Sequence, residues 1–434
     1  MKLRELHKVG HWPTLLGAFS YFDISFMIWM LVGALANAIA LEFPLSSLEK
    51  GLLVGTPILG GAVLRLVLGV MADRMGARRT AILGMVLTSV PLLLGWLWAD
   101  SFDKILVVGL LLGVAGGSFA VAVPLAGRWY PREQQGLVLG IAGAGNSGTC
   151  LAVFLGPWLA EQVGWHMVFG VALIPLAIVL VLFAVFVEES PHQPPPKAVS
   201  EYLGVLRLGD TWALSLLYGL TFGGFVGLAS FLSLFFHDHY GVSPVAAGAL
   251  VGICVVAGSF LRPLGGYLAD RFGGIFLLTV VYAGGIVILL DLSTSPPLVW
   301  GTILFVTLLA LFGIGNGAVF QLVPQRFPKE IGVVTGVVGA MGSVGGFLLP
   351  TCFVGVHELT GSYAVGFLAL ASMALCCIAL LFRMRRAWDG VFVTKEGLAA
   401  RMTQSVPTTR LEPEMAGSRG GYFPAPMPSL LEKS

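Results

Sequence analysis

The chain has 434 residues, of which 56% are hydrophobic and only 11% are charged, and its formal net charge is +2. Soluble domains carry roughly 25% charged residues, so a soluble chain of this size would lack the polar surface to cover itself. The near-neutral charge gives no basis for nucleic-acid binding. The composition therefore indicates a protein whose solvent is lipid, in which helices or a closed barrel satisfy the backbone.

Long apolar runs follow one another along the whole chain. A helix needs about 20 mostly apolar residues to cross a bilayer. The runs are continuous rather than alternating, which is typical of helices. We therefore predict an all-α membrane protein with twelve transmembrane helices. The predicted helices span residues 14–40, 51–71, 80–99, 105–126, 136–158, 167–187, 211–236, 245–269, 275–293, 299–323, 332–355 and 363–382.

Two polar stretches interrupt this pattern. The first contains Ser190-Pro191 and Pro194-Pro195-Pro196, which are typical of a linker. The second follows Arg386 and has scattered proline, glycine and threonine, which is typical of disorder. We predict the following organisation: a first half at 1–187, a cytoplasmic linker at 188–210, a second half at 211–386 and a disordered cytoplasmic tail at 387–434.

The distribution of Lys and Arg predicts the orientation. If the N-terminus lies inside, every basic residue of the loops and tail faces the cytoplasm except Lys50 and Lys104. We therefore predict a multi-pass protein of the cell (inner) membrane with both termini cytoplasmic. Arg65 and Arg262 are different, because they fall within predicted helices.

Several segments of the first half recur in the second at a nearly constant spacing. Such repeats are typical of secondary transporters, whose substrate site lies near the midplane between the halves. They predict two pseudo-symmetric six-helix halves. The matching segments begin at Arg65 and Arg262, at Ala72-Asp73-Arg74 and Ala269-Asp270-Arg271, at Tyr130-Pro131 and Phe327-Pro328, and at Gly136 and Gly332.

The Ala-Asp-Arg-x-Gly segments resemble the cytoplasmic loop motif of the major facilitator superfamily. They make Asp73, Arg74, Asp270 and Arg271 candidate gating residues. Asp73 could hold the cytoplasmic gate closed, either by capping the N-terminus of a neighbouring helix or by pairing with a basic residue. The alternative is a loop turn anchored by glycine.

Arg65 and Arg262 each lie eight residues before the loop aspartate, about 12 Å from the helix end at 1.5 Å per residue. A charge at the bilayer centre costs at least roughly 2.5–3.5 kcal/mol. One explanation is pairing with a buried carboxylate, for which Asp23 is the clearest candidate. The other is that the substrate supplies the counter-charge, because guanidinium forks bind planar oxyanions.

The polar amide of Asn146 stands in a glycine-rich stretch of the fifth predicted helix. It either donates to an oxyanion that the missing side chains let come close, or bonds to another helix.

The two arginines, Gly145-Asn146-x-Gly148, Gly315-Asn316-Gly317 and the segment from Phe22 to Trp29 resemble the nitrate/nitrite porter family of the major facilitator superfamily. The resemblance runs from the first helix to about the twelfth. It implies a major facilitator fold in which the two arginines bind the anion between the halves.

The resemblance also implies further contacts with the anion. Phe119 and Phe320 would sandwich it, while Asn146 and Tyr218 would add hydrogen bonds. Thr149 stands where the family often has glycine, and Gly342 occupies the repeat position of Asn146. The two halves are therefore not expected to contact the anion identically.

These observations predict a secondary active transporter that moves nitrate, nitrite or both by alternating access. We expect a monomer whose partners are the lipid bilayer and a small inorganic anion, with no enzymatic activity, cofactor or metal. The alternatives are a carrier for another small monovalent anion and a non-transporting anion sensor. Coupling also stays open, since Asp23 is the candidate for proton symport, whereas nitrate/nitrite exchange needs no such group.

Overall fold

The computed structural model describes residues 10–130, 135–191, 193, 204–327 and 331–390. The first six transmembrane helices are built from the following segments: α1 from Trp12–Trp29, Leu31–Ala34 and Ala36–Glu42; α2 from Ser47–Met75; α3 from Ala77–Leu97; α4 from Phe102–Gly116 and Phe119–Gly127; α5 from Gln135–Gly143, the 3₁₀ turn Ala144–Ser147 and Gly148–Val163; and α6 from Trp165–Phe186.

A short 3₁₀ turn, Val205–Arg207, precedes the second set of six helices. These are α7 (Gly209–Tyr240), α8 (Pro244–Phe260 and Arg262–Phe272), α9 (Gly274–Leu292), α10 (Leu298–Arg326), α11 (Ile331–Thr360) and α12 (Ala364–Trp388).

The predicted all-α membrane architecture is confirmed. Within the described residues, eleven helices are long and apolar enough to cross a membrane. α1 completes the twelve, although it is divided at Met30 and Leu35 and carries Asp23 in its first segment. α2 is longer than the predicted 51–71, because a Ser46–Glu49 capping box starts it earlier.

Two further predictions concern the linker and the tail. α12 continues to Trp388, so the tail predicted from residue 387 begins slightly too early. Most of that tail, at 391–434, lies outside the described residues, as do 192 and 194–203 of the predicted linker.

Helix breaks occur near the middle of several spans. α4 turns at Gly117-Ser118, α5 passes through its 3₁₀ turn, and α8 is interrupted at Leu261. In α4 the Ala120 N–H donates to the Gly117 carbonyl at 3.1 Å instead of continuing the α-helical pattern. A break of this kind leaves a carbonyl available for another partner.

Glycine lets the helices approach closely within each half. A Cβ on Gly113 of α4 would lie 2.5 Å from the Gly60 Cα of α2. A Cβ on Gly313 of α10 would lie 2.8 Å from the Gly258 Cα of α8. Small residues at these positions are what membrane helices need for backbone contact.

The two Ala-Asp-Arg-x-Gly segments end in the same backbone turn. Gly76 has φ +96° and Gly273 has φ +89°, values that L side chains rarely adopt. Each glycine stands directly before the next helix, α3 or α9. The sequence repeat is therefore also a repeat of backbone conformation.

In the described part of the chain, two helix pairs make the most extensive contacts between the halves. α2 packs on α11, where a Cβ on Gly55 would lie 2.9 Å from Phe347. α5 packs on α8, where a Cβ on Gly140 would lie 2.8 Å from the Pro263 Cα.

One end of the bundle, called here the basic end, carries Arg74, Arg78, Arg128 and Arg326. At the opposite end Lys50 of α2 pairs with Asp238 of α7 at 3.3 Å. Nearby, the Asn37 amide of α1 donates to the Ser233 carbonyl of α7 at 3.3 Å. These contacts close the halves against each other at that end.

Candidate anion-binding site

Arg65 and Arg262 meet at the centre of the bundle. Arg65 lies on the inner face of α2, and Arg262 is the first residue after the break in α8. Their exposed fractions are 0% and 1%. Both guanidiniums face the ring of Phe119, with Cζ-to-centroid distances of 5.7 Å for Arg65 and 4.9 Å for Arg262. The two repeat-related charges therefore share one buried site.

Backbone carbonyls hold the Arg65 guanidinium. Nη2 donates to the Gly116 carbonyl at 2.7 Å, beside the break in α4. Nη1 donates to the Gly339 carbonyl of α11 at 2.5 Å. Its Nε has no hydrogen-bond partner. The Arg65 side chain thus connects α2 of the first half to α11 of the second, while its Nε N–H remains without a partner.

Arg262 has fewer partners. Its Nη2 donates to the Tyr218 hydroxyl of α7 at 3.3 Å, and its Nη1 has no partner. In the described part of the chain, no carboxylate lies within 4 Å of either guanidinium. The buried-carboxylate explanation therefore does not apply to the described residues, and both arginines carry unused donors.

Each arginine also rests on a glycine of the opposite half. A Cβ on Gly339 of α11 would lie 2.9 Å from the Arg65 Cδ. A Cβ on Gly143 of α5 would lie 2.7 Å from the Arg262 Nε. Gly143 and Gly339 are repeat partners in sequence. The glycine runs of α5 and α11 thus make room for the two guanidiniums.

Aromatic rings enclose the arginines, but not as two parallel plates. Phe119 and Phe320 are 5.0 Å apart with an interplanar angle of 74°, so they meet edge to face. The parallel pair is Tyr218 and Phe222, at 4.8 Å and 5°. Arg262 also faces Phe320 at 5.8 Å.

Two members of this aromatic enclosure, Phe222 and Trp29, were not predicted as site residues from the sequence. Arg65 faces Phe222 at 5.0 Å and Trp29 at 5.6 Å. Phe222 stands one helical turn after Tyr218, so helical spacing alone would have brought it into the candidate set. Trp29 ends the family-like segment of α1, which is the signal that was available for it.

Asn146 lies on the 3₁₀ turn of α5 and is fully buried. With its NH₂ group turned towards the neighbouring acceptors, the amide donates to the carbonyls of Gly143 and Ala144, at 3.0 and 3.3 Å. This arrangement lies within one turn of α5 and is not the bond to another helix that the sequence offered as one alternative. The contact of Asn146 with an anion stays a prediction. The amide lies directly beside the glycine that supports Arg262.

Asp23 faces α5 rather than the arginines. Its Oδ1 accepts a hydrogen bond from the Ser147 hydroxyl at 2.6 Å. Asp23 therefore contacts the break in α5 from the side of α1.

The candidate gating residues lie at the basic end. Asp73 pairs with Arg128 of α4 at 2.5 Å, so it joins two helices of the first half. Arg74, Asp270 and Arg271 are exposed, and the Arg271 guanidinium faces the ring of Phe272 at 5.4 Å. Their part in gating stays a prediction.

A twelve-helix bundle of two related halves, with a buried polar site between them, is the architecture of a secondary transporter. Residues 17–350 match the Major Facilitator Superfamily. Two solved structures share the fold. One is the human organic anion transporter MFSD10, with TM-score 0.69 and 16% identity over 85% of this chain and 99% of that one. The other is the proton:xylose symporter XylE, with TM-score 0.67 and 14% identity over 86% and 95%.

Curated relatives narrow the family. The nitrite extrusion protein of Bacillus subtilis is 36% identical over 83% of this chain and 91% of its own length. The probable nitrate/nitrite transporter NarK2 of Mycobacterium tuberculosis is 34% identical over 81% and 91%. The probable nitrate/nitrite antiporter NarK1 of Thermus thermophilus is 33% identical over 81% and 87%. The chain belongs to the Major Facilitator Superfamily, and within it to the family of nitrate and nitrite transporters. The family predicted from the sequence is thus confirmed.

The glycine contacts give a test of the site. Gly339→Ala should push Arg65 away from the Gly339 carbonyl and weaken binding of a planar oxyanion such as nitrate by roughly tenfold. Gly336→Ala is the matched control on the same helix, because a Cβ there meets nothing within 4 Å. Isothermal titration of the purified proteins with nitrate measures both. Equal affinities for the two variants would contradict a role for this contact.

Proposed function

We propose that the protein carries nitrate and nitrite across the cell membrane by alternating access, with the anion held between Arg65 and Arg262. The observation that carries this proposal is the pair of buried guanidiniums on one phenyl ring, with no carboxylate partner among the described residues. The names of the relatives, which are nitrate and nitrite transporters, support the same substrates.

The arrangement suits a small planar anion. A guanidinium presents a flat fork of N–H donors that matches planar oxyanions, and both arginines keep an unused donor. The aromatic rings exclude water, which strengthens the attraction between the arginines and an anion. Because aromatic rings surround both buried guanidiniums, the site favours a small anion over a bulky one.

In this proposal the basic end faces the cytoplasm, in the cell (inner) membrane. The support is the concentration of Lys and Arg in the loops at that end, which predicts the cytoplasmic side. Opening at the opposite end would require separation of the Lys50–Asp238 pair between the halves.

Exchange of nitrate for nitrite is the coupling that the charges favour. Without an anion, Arg65 and Arg262 place two like charges in a poorly screened site. A bound anion cancels part of this charge and bridges the two halves, so the loaded carrier closes more easily than the empty one. Asp23 contacts Ser147 instead of an arginine, so it does not supply the missing negative charge.

The first test measures uptake of labelled nitrate into proteoliposomes with and without internal nitrite. We expect strong stimulation by internal nitrite and little response to a pH gradient. Uptake that follows the pH gradient and ignores internal nitrite would overturn exchange and favour proton symport. Transport of a small carboxylate in preference to both anions would overturn the proposed substrates.

The second test concerns the guanidinium forks. Arg65→Lys and Arg262→Lys should each lower exchange by roughly two orders of magnitude, because ammonium keeps the charge but loses the planar donor pair. Arg386→Lys, at an exposed position of α12, is the control and should exchange like the parent. Near-normal exchange by the site variants would show that charge alone suffices.

The third test concerns the enclosure. Phe119→Ala and Phe320→Ala should weaken nitrate binding and admit larger anions such as acetate, because the rings limit the space. Asn146→Ala should cost about 1–3 kcal/mol of binding if its amide turns to the anion. Phe382→Ala, whose ring is 55% exposed on α12, should behave as the parent. Unchanged affinity in all three site variants would confine binding to the arginines.

A further inference from the structure

The backbones of α1 and α5 touch where α5 breaks. A Cβ on Gly145 would lie 2.8 Å from the Phe19 carbonyl oxygen. A Cβ on Gly148 would overlap the Asp23 carbonyl oxygen and lie 2.8 Å from the Met27 nitrogen. This close approach brings the Asp23 carboxylate within reach of the 3₁₀ turn Ala144–Ser147.

Asp23 binds the turn of α5 from the side. The segment Gly148–Val163 begins directly after Ser147, whose side chain makes no cap hydrogen bond within its own helix. The Ser147 hydroxyl donates instead to the Asp23 carboxylate at 2.6 Å. The Gly148 N–H already has partners within the turn, namely the carbonyls of Gly145 and Asn146. The carboxylate of α1 therefore contacts the turn through the hydroxyl of Ser147.

Among the described residues of the second half, α11 has neither a carboxylate at the equivalent contact nor a break like that of α5. A Cβ on Gly345 of α11 would lie 2.5 Å from the Gly219 carbonyl oxygen of α7, so Gly219 stands where the first half has Asp23. Ser343 follows Gly339 by four residues, as Ser147 follows Gly143, but its buried hydroxyl has no hydrogen-bond partner. α11 nevertheless runs as one helix from Ile331 to Thr360.

The break shapes the arginine site from the first half. Its turn carries Asn146, whose amide holds the Gly143 and Ala144 carbonyls. Gly143 in turn supports the Nε of Arg262. A change in the turn would therefore move both the amide and the surface on which Arg262 rests.

We infer that Asp23 is a positioning residue: its carboxylate acts as a fixed hydrogen-bond acceptor that holds the break in α5, and through it Asn146 and Arg262, rather than as a proton carrier. This inference rests on the proposed nitrate and nitrite exchange. It explains why one half alone carries an intramembrane aspartate at this position.

Asp23→Asn and Asp23→Ala separate the two roles. Asparagine keeps an acceptor oxygen but cannot carry the proton, so Asp23→Asn should exchange nitrate for nitrite with KM within about threefold of the parent and the same pH profile between pH 5.5 and 8. Asp23→Ala removes the acceptor and should raise KM for nitrate by about tenfold, with a smaller change in kcat.

The two serines supply a matched comparison. Ser147→Ala should raise KM in the direction of Asp23→Ala, because it removes one donor to the carboxylate. Ser343→Ala removes a hydroxyl without a partner and should leave KM unchanged.

The double variant Asp23→Ala/Asn146→Ala should raise KM by less than the sum of the two single effects, because both residues act through one turn.

Three outcomes would overturn the inference. They are an Asp23→Asn variant that loses exchange or changes its pH profile, an Asp23→Ala variant with the parent's KM, and equal KM effects of the two serine variants. Thermal unfolding of each purified variant identifies those that do not fold. If Asp23→Ala does not fold, Asp23→Asn and Ser147→Ala still test the inference. A parent protein without nitrate/nitrite exchange would instead reject the proposed function.

Discussion

Burial of two guanidiniums in the middle of a membrane bundle is the constraint on which this structure depends. Neither has a carboxylate partner in the described chain, so their stabilisation is distributed over many weaker contacts. Arg65 uses the carbonyls of Gly116 and Gly339, and Arg262 uses the Tyr218 hydroxyl. Aromatic faces complete the surroundings of both. These contacts offset part of the free-energy cost of burying the two charges. They do not neutralise the charges, which therefore still attract an anion.

The two arginines of the site also take part in the contact between the halves. Arg65 rests on Gly339 of the opposite half, and Arg262 rests on Gly143 of the opposite half. Any separation of the halves therefore changes the surroundings of both guanidiniums. An anion that bridges them would in turn favour closure, because it draws the two charges together. Under the proposed function, this geometry would link anion binding to the opening and closing of the two halves.

The two halves repeat their backbone but not their chemistry. Gly76 and Gly273 adopt the same positive-φ conformation, and glycine contacts at Gly113 and Gly313 bring equivalent helices together. The fifth helix, however, breaks beside Asp23, whereas the eleventh is continuous. The anion would therefore meet unlike surfaces on its two sides. The departure at Gly342, noted in the sequence, has this structural counterpart.

The membrane class, the helix count, the repeat and the two intramembrane arginines were all predictable from the amino-acid sequence, because apolar length, glycine pattern and charge placement are local properties of the chain. It also identified the family, since the signature segments are contiguous. The surroundings of each charge, by contrast, depend on how the helices pack in three dimensions. The edge-to-face meeting of Phe119 with Phe320, the contribution of Trp29 and Phe222, and the contact of Asp23 with Ser147 join residues that are distant in sequence. The sequence pattern cannot predict these contacts, because ring angles and hydrogen-bond partners follow from how the helices pack rather than from where they begin and end.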